Sequence, residues 1–258
     1  MNDLLSKFPA FLLIFVRVTS FFVMMPLFSY RTIPTALKLG MGFFLSWLMI
    51  YAIQAPVFEI NGVYFLLIIK EAIVGLLIGF VAYFILSAIQ IAGGMIDFQM
   101  GFTIASVIDP QNGTQSPLMG QYLYTFALLL LLSINGHYLL IDGIYNSYRF
   151  IPIDQPWLAF GKGNVVEYFV RSFSSMFLVA FQMALPIVGS LFLVDVALGI
   201  VARTVPQLNI FVVGLPIKIV VGFIVIIIVM SVIMVLVSNL LESALYTMRD
   251  LMQLLGGS

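Results

Sequence analysis

Ser133 and His137 are the two residues whose types and spacing come nearest to a catalytic arrangement. They lie four apart, so one helix would place both on the same face, as a serine nucleophile and its histidine base require. No serine stands in a Gly-x-Ser-x-Gly elbow, and no acid obviously orients the histidine. We therefore interpret His137 as a histidine that bonds to a neighbouring helix or a loop carbonyl, and we predict no catalytic residue.

Metal, nucleotide and nucleic-acid chemistry have no support in the composition. The 258 residues include 1 histidine and no cysteine, so one chain cannot form a polyhistidine or thiolate metal site. The HExxH, P-loop and Gly-x-Gly-x-x-Gly motifs are also absent. The 11 basic and 11 acidic residues balance, and no basic stripe runs along the chain. We predict no metal, no cofactor and no nucleic-acid partner.

The elements that position any functional residue must be helices. They must lie in a membrane or against a large apolar partner. Hydrophobic residues make up 62% of the chain and charged residues only 9%, too few to cover a soluble fold. Lipid leaves the backbone no outside hydrogen-bond partner, so each apolar run must be helical. We predict an all-α, multi-helix integral membrane protein, one domain over residues 1–258, with about six segments paired as three hairpins. The segments are residues 8–28, 39–58, 72–96, 118–141, 172–194 and 219–241.

Six charged residues lie in or beside these segments, where facing lipid is costly. A charge at the bilayer centre costs about 3 kcal/mol on insertion scales. We expect pairing between helices that fixes assembly, or a location outside the hydrocarbon core, with an ion or proton path as the alternative. The residues are Arg17, Lys70, Glu71, Asp142, Asp195 and Arg203.

Spacing refines this expectation for two pairs of charges. Lys70 and Glu71 are adjacent, so a helix directs them about 100° apart and we expect separate partners for them. Asp195 and Arg203 are eight apart, about two turns, so we expect two anchor points on one helix face. If each segment crosses the membrane, five basic residues lie on the same side as the N-terminus and three lie on the opposite side. This difference weakly favours a cytoplasmic N-terminus. The five are Lys7, Arg149, Lys162, Arg171 and Arg249.

Glycine and proline mark three further features. Gly75 and Gly79 form a GxxxG motif, which lets two helix backbones approach closely. The central stretch 97–117 has no basic residue, contains two turn signals and ends in Pro117, which can open the next helix. A connection this long tends to be functional, although a plain surface loop is an equal alternative. Pro206 should break a helix, which suits a protein interface or a pore better than a lipid-facing span.

Several of these stretches together resemble the FliR/SctT family of type III export-gate proteins. The most specific match is VDVALGIVARTVPQLNIF at 194–211. The resemblance runs almost end to end and in order. It continues in Arg31-x-x-Pro34, Lys70-Glu71-x-x-x-Gly75-x-x-x-Gly79, Gly94-x-x-Asp97-x-Gln99-x-Gly101-Phe102, Asp109-Pro110 and Asn135-Gly136-His137.

This resemblance implies a pore-forming subunit of a protein export gate in the flagellar basal body. Such subunits co-assemble with FliP-like and FliQ-like subunits in the bacterial cytoplasmic membrane, and a FlhB-like switch protein wraps the entrance. Unfolded flagellar export substrates pass through the pore. The resemblance also implies that helices pack largely on one another, so that hydropathy overstates how many segments cross lipid.

The resemblance further assigns residues to two roles. A loop that plugs the closed pore falls at about 106–119, and the segment 195–211 would contact other subunits and line the pore. The plug positions are Ser106, Asp109, Pro110, Gln111, Asn112, Gly113 and Pro117. The packing and lining positions are Gly75, Gly79, Gly94, Asp97, Gln99, Gly101, Phe102, Asp195, Gly199, Arg203, Pro206, Gln207 and Asn209, and Arg17, Lys70 and Glu71 are predicted buried charges.

Two other functions remain open at this point. Injectisome export gates share the same motifs, so the choice of the flagellum depends on overall similarity. A small-solute or ion transporter would use Asp195 and Arg203, but such proteins often carry matching halves, and we find none here.

Overall fold

The computed structural model describes residues 2–28, 33–53, 55–103, 117–158, 164–207 and 209–256. Within these ranges the chain forms seven α-helices and no strand, which confirms the all-α prediction. Five of the helices are long and apolar enough to cross a membrane, or six spans if one bent pair counts as a single span. The helices are α1 Asn2–Met24, α2 Thr35–Ala52, α3 Gly62–Met100, α4 Leu118–Ser133, α5 Gly136–Phe150, α6 Asn164–Thr204 and α7 Ile210–Gly256.

Three of the helices are much longer than the apolar segments predicted for them. Helices α3, α6 and α7 contain 39, 41 and 47 residues. At 1.5 Å per residue they are roughly 60 to 70 Å long, about twice the hydrocarbon thickness of a bilayer. The predicted start of the third segment at residue 72 is wrong, because α3 begins at Gly62 and continues through Lys70 and Glu71. Both side chains are buried and paired within the protein, so the helix has no reason to stop there.

The predicted segment 118–141 is two helices joined at a sharp bend. Helix α4 ends at Ser133 and α5 begins at Gly136, and their axes differ by 73°. Between them Asn135 has φ 57° and ψ 25°, the left-handed conformation that asparagine tolerates better than most residues. Ser133 and His137 therefore lie on different helices, and the premise that they share a helix face is wrong.

Three predicted boundaries also differ from the structure. Helix α2 ends at Ala52, short of residue 58, while α3 runs to Met100 and takes in the first four residues of the predicted central loop. Helix α6 continues through most of the polar stretch 195–209 and ends at Thr204. Polarity alone does not stop a helix, whereas Pro206 excludes the residue before it from the helical conformation. Helix α4 begins directly after Pro117, as predicted.

The chain divides into two compact units, each built from segments distant in sequence. The first unit comprises Met1–Ile85, Leu132–Ser172 and Leu241–Ser258, and the second comprises Leu86–Leu131 and Phe173–Leu240. Leu13, Ile14 and Phe21 are fully buried in the first unit, and Ala92 and Ile187 in the second. The single-domain organisation over residues 1–258 stays a prediction.

Candidate functional site

The first unit contains a buried cluster of charges contributed by α1 and α3. Arg17 donates through Nε and Nη2 to the two carboxylate oxygens of Glu71, with Nη2 2.9 Å from Oε1. Lys70 Nζ lies 2.5 Å from the same Oε1. The Arg17 and Glu71 side chains are 0% exposed and that of Lys70 is 3% exposed. The expectation that Lys70 and Glu71 would not pair is wrong, because the long lysine side chain reaches back to its neighbour.

The end of α5 offsets the surplus positive charge of this cluster. Arg17 Nη2 donates to the carbonyl oxygen of Ile151 at 3.0 Å, and Lys70 Nζ donates to that of Pro152 at 2.8 Å. Arg17 Nη1 also donates to Ser147 Oγ at 2.9 Å, inside the last turn of α5. Carbonyls at a helix C-terminus carry partial negative charge and lack intrahelical partners. The two cations therefore hold α1, α3 and the end of α5 together.

Gly75 and Gly79 lie where α3 passes α1 at close range. A Cβ on Gly75 would overlap the carbonyl oxygen of Arg17 and come 2.9 Å from Ser20 Cβ. A Cβ on Gly79 would lie 2.8 Å from the carbonyl oxygen of Phe21. The GxxxG motif thus lets α3 pack on a helix of its own chain, directly beside the buried charges. A role for either glycine between subunits remains a prediction.

In the second unit, polar side chains join α3, α6 and α7. Gln99 Nε2 donates to Asp195 Oδ2 at 2.8 Å, and Lys218 Nζ donates to the same oxygen at 3.0 Å. The Asp195 side chain is 40% exposed and that of Lys218 is 16% exposed, so water screens this pair more than the buried cluster. Asp195 is therefore paired between helices.

The end of α3 is held against the start of α4. A Cβ on Gly93 would overlap the backbone nitrogen and Cα of Gly120, so the two backbones touch there. One turn further along α3, both Asp97 carboxylate oxygens lie 3.1 Å from the backbone nitrogen of Met119, which donates to them. Gly101 then has φ 89°, a left-handed conformation that suits glycine after the last residue of a helix. These contacts anchor both ends of the stretch that contains residues 104–116.

The predicted lining segment lies at the surface of the chain. Gly199, Arg203, Pro206, Gln207 and Asn209 are all exposed. Asn209 Oδ1 accepts the backbone N–H of Phe211 at 3.2 Å, at the start of α7.

The other predicted packing positions lie near the end of α3. Gly94 and Gln99 line a cleft of about 560 Å³ between α3 and α6, and the Phe102 ring lies 6.4 Å from that of Phe223. Of the predicted plug positions, only Pro117 belongs to the described residues. Ser106, Asp109, Pro110, Gln111, Asn112 and Gly113 lie outside them.

A family model described as "Bacterial export proteins, family 1" matches residues 8–244, which is most of the chain. The chain belongs to this family. The match spans both compact units, including the buried charges, the α3–α4 contact and the segment 195–211.

Several named bacterial proteins match along most or all of the chain. The "Flagellar biosynthetic protein FliR" of Bacillus subtilis (strain 168) is 54% identical over 100% of both chains. That of Escherichia coli (strain K12) is 30% identical over 80% of this chain and 78% of its own length. The "Yop proteins translocation protein T" of Yersinia pestis is 31% identical over 83% of each chain. The resemblance to the FliR/SctT family is confirmed.

Sequence reasoning missed several residues that complete these clusters in the export-family fold. Lys218 is a lone cation inside a long apolar run, and the need for an acid partner could have pointed to Asp195. Tyr148 lies with its ring centroid 3.9 Å from the Arg17 guanidinium carbon, and Ser147 accepts from Arg17; neither has a sequence signal that we can name. Gly120 could have been found only by knowing that α4 crosses α3 there.

His137 lies beside an aromatic ring in the export-family chain, and one of its ring nitrogens is unpaired among the described residues. The His137 ring lies 4.4 Å from that of Tyr138, and its buried Nδ1 has no hydrogen-bond partner there. The expected bond from His137 to a helix or loop carbonyl is therefore not made through Nδ1. Among the described residues, no three histidine or acidic side chains group closely enough to hold a metal ion.

Proposed function

We propose that this chain is a pore-forming subunit, without catalysis of its own, of the flagellar type III protein export gate. The observation that carries this proposal is the 54% identity to a flagellar FliR across the whole of both chains. The gate would sit in the bacterial cytoplasmic membrane at the flagellar basal body, and unfolded flagellar proteins would pass through it. The chain would contribute structure and part of the conduit.

The apolar surface of α6 and α7 supports assembly with other helical subunits. Only 17% of the most apolar 18-residue window in each helix is buried, against 56% in α3. Phe192, Phe211 and Ile227 are among the large side chains left exposed. Because so many exposed apolar side chains are unfavourable in water, lipid and partner subunits must cover these two helices. FliP-like and FliQ-like subunits are the proposed partners, with a FlhB-like protein at the entrance.

The stretch 106–119 is the proposed plug of the closed pore, and 195–211 is the proposed lining. Support for the plug comes from its two anchored ends, where Gly93 packs on Gly120 and Asp97 binds the backbone of Met119. A segment held at both ends can shift between them without separating α3 from α4. The exposure of Arg203, Gln207 and Asn209 supports the lining, because polar side chains at that surface suit other subunits or water better than lipid.

Removing the proposed plug tests the conducting role. We expect deletion of residues 106–116, which keeps Pro117 and the Asp97–Met119 contact, to make the cell envelope permeable to small solutes. The measurement is dye or ion entry into cells that express the deleted chain, together with filament assembly. The full-length chain at equal abundance is the control. Normal filaments with loss of uptake of one solute would instead indicate a transporter and would overturn the proposal.

The similarity to the Yersinia protein leaves one alternative function, an injectisome export gate. The higher identity to the Bacillus FliR favours the flagellum. We expect this chain to restore swimming to Bacillus subtilis lacking its FliR, and not to restore secretion to Yersinia lacking its translocation protein T. Rescue of Yersinia secretion alone would reverse the assignment. Co-purification with a FliP-like and a FliQ-like subunit would accompany the expected result.

A further inference from the structure

The first unit carries a surface cleft between α5 and the C-terminal part of α7. Its volume is about 370 Å³. Asp142, Asn146 and Arg149 line it from α5, at spacings of four and three residues that place them on one helix face, and Arg249 lines it from α7. The remaining lining is mainly apolar and comprises Leu139, Gly143, Phe150, Leu245, Met248 and Met252.

The two arginines of this cleft differ from the other arginines that the structure describes in the unit. Both are exposed, and within the described residues neither guanidinium has an ion pair or a hydrogen bond. Arg17 by contrast is buried and paired, and Arg171 pairs with Glu167. Asp142 is the one acid in the cleft, and its Oδ2 accepts from Asn146 Nδ2 at 2.7 Å. The cleft therefore has a net positive charge and two cations with donors to offer.

We propose that the cleft binds an anionic glycerophospholipid, phosphatidylglycerol, with its phosphate between Arg149 and Arg249. Guanidinium groups bind phosphate oxygens through paired N–H donors, and basic pockets between helices at a membrane surface bind anionic headgroups. The glycerol hydroxyls of the headgroup can donate to Asp142, whose carboxylate accepts only one bond from Asn146.

The apolar side of the cleft gives the lipid its second anchor. Leu139 is 49% exposed, and Phe150 and Leu245 are half-buried, so these three side chains offer the accessible apolar surface of the lining. Met248 and Met252 are already covered by the protein. An acyl chain can lie against the three accessible side chains while the phosphate stays at the arginines. A free phosphate ion would leave their surface uncovered, so the whole cleft fits a lipid better than it fits the ion.

Lipid retention by the full chain in mild detergent tests this proposal. Delipidated protein is titrated with phosphatidylglycerol or with phosphatidylcholine and examined by native mass spectrometry. We expect phosphatidylglycerol to be retained preferentially, and Arg149→Gln or Arg249→Gln to weaken its binding about five-fold each, as one interfacial arginine contributes. The matched control is Arg171→Gln, which removes an exposed arginine of the same unit outside the cleft and should leave binding unchanged.

Further measurements distinguish phosphatidylglycerol from other occupants of the cleft, and loss of binding from misfolding of a variant. Arg249→Lys keeps the charge and should retain most of the binding even if the glutamine variants are less stable. Equal binding of phosphatidylcholine, or competition by millimolar inorganic phosphate as effective as by lipid, would overturn the proposal. So would a photo-crosslinker at Leu245 that captures a protein subunit in the assembled complex instead of lipid.

Discussion

The substitution Glu71→Gln is expected to lower the free energy of unfolding by about 3–5 kcal/mol, the cost of leaving buried charges without their partner. It would leave Arg17 and Lys70 facing each other in the interior of the first unit, with only carbonyl and hydroxyl oxygens to offset two positive charges. That loss is a large part of the total stability of an ordinary domain. The measurements are the thermal unfolding midpoint in detergent and the amount of chain that accumulates in cells.

Two companion variants separate charge burial from a general effect of substitution. Glu167→Gln breaks an ion pair whose side chains are 61% and 78% exposed, so the unfolding midpoint should hardly move. The triple variant Arg17→Met, Lys70→Leu, Glu71→Leu removes every charge of the cluster and should recover much of the lost stability. If the Glu71→Gln variant unfolded at the same temperature as the wild-type chain, charge pairing would not be what holds α1, α3 and α5 together.

The second large effect is expected from Gly93→Ala, which inserts a methyl group between α3 and α4. The new Cβ would overlap the nitrogen and Cα of Gly120, and backbone atoms cannot rotate away as a side chain can. We expect a loss of about 2 kcal/mol or more, despite the better helix propensity of alanine. The Asp97–Met119 contact should weaken as the helices separate. Faster hydrogen exchange at the Met119 amide would report that loss, alongside the thermal midpoint.

Gly189→Ala is the matched control for this prediction. Gly189 lies inside α6 in the same unit, and a Cβ there would meet no atom within 4 Å. Alanine should stabilise the helix by roughly 0.5–1 kcal/mol at such a position. Equal changes in the thermal midpoint of the two variants would mean that the α3–α4 contact does not require glycine at residue 93.

The helical class and the number of apolar segments follow from the sequence, because lipid leaves a continuous apolar run no other conformation. The helix ends do not follow as easily. Lys70 and Glu71 predict a boundary only as long as the pairing of Glu71 with Arg17, 54 residues away, is unknown. Pro206 is the opposite case, because its effect on the helix is local and the sequence alone places the break correctly.

The candidate sites show the same division between local and distant causes. GxxxG at Gly75 predicts a close helix contact but not which helix supplies the other side, since any exposed backbone stretch would fit. The bend at Asn135 has a local cause, an asparagine followed by glycine, yet the apolar residues around it conceal the signal. Asp195 needed a partner on energetic grounds, and only the fold shows that Lys218 and Gln99 provide it.

The lengths of α3, α6 and α7 have a consequence for how a cell must produce this protein. Each helix is roughly twice as long as the hydrocarbon layer is thick, so lipid can solvate only about half of it. Chains synthesised in excess of their partners would keep the other half in contact with water, where chaperones and proteases act on exposed apolar surface. The lengths of these helices therefore require either matched synthesis of the partner subunits or rapid removal of surplus chains.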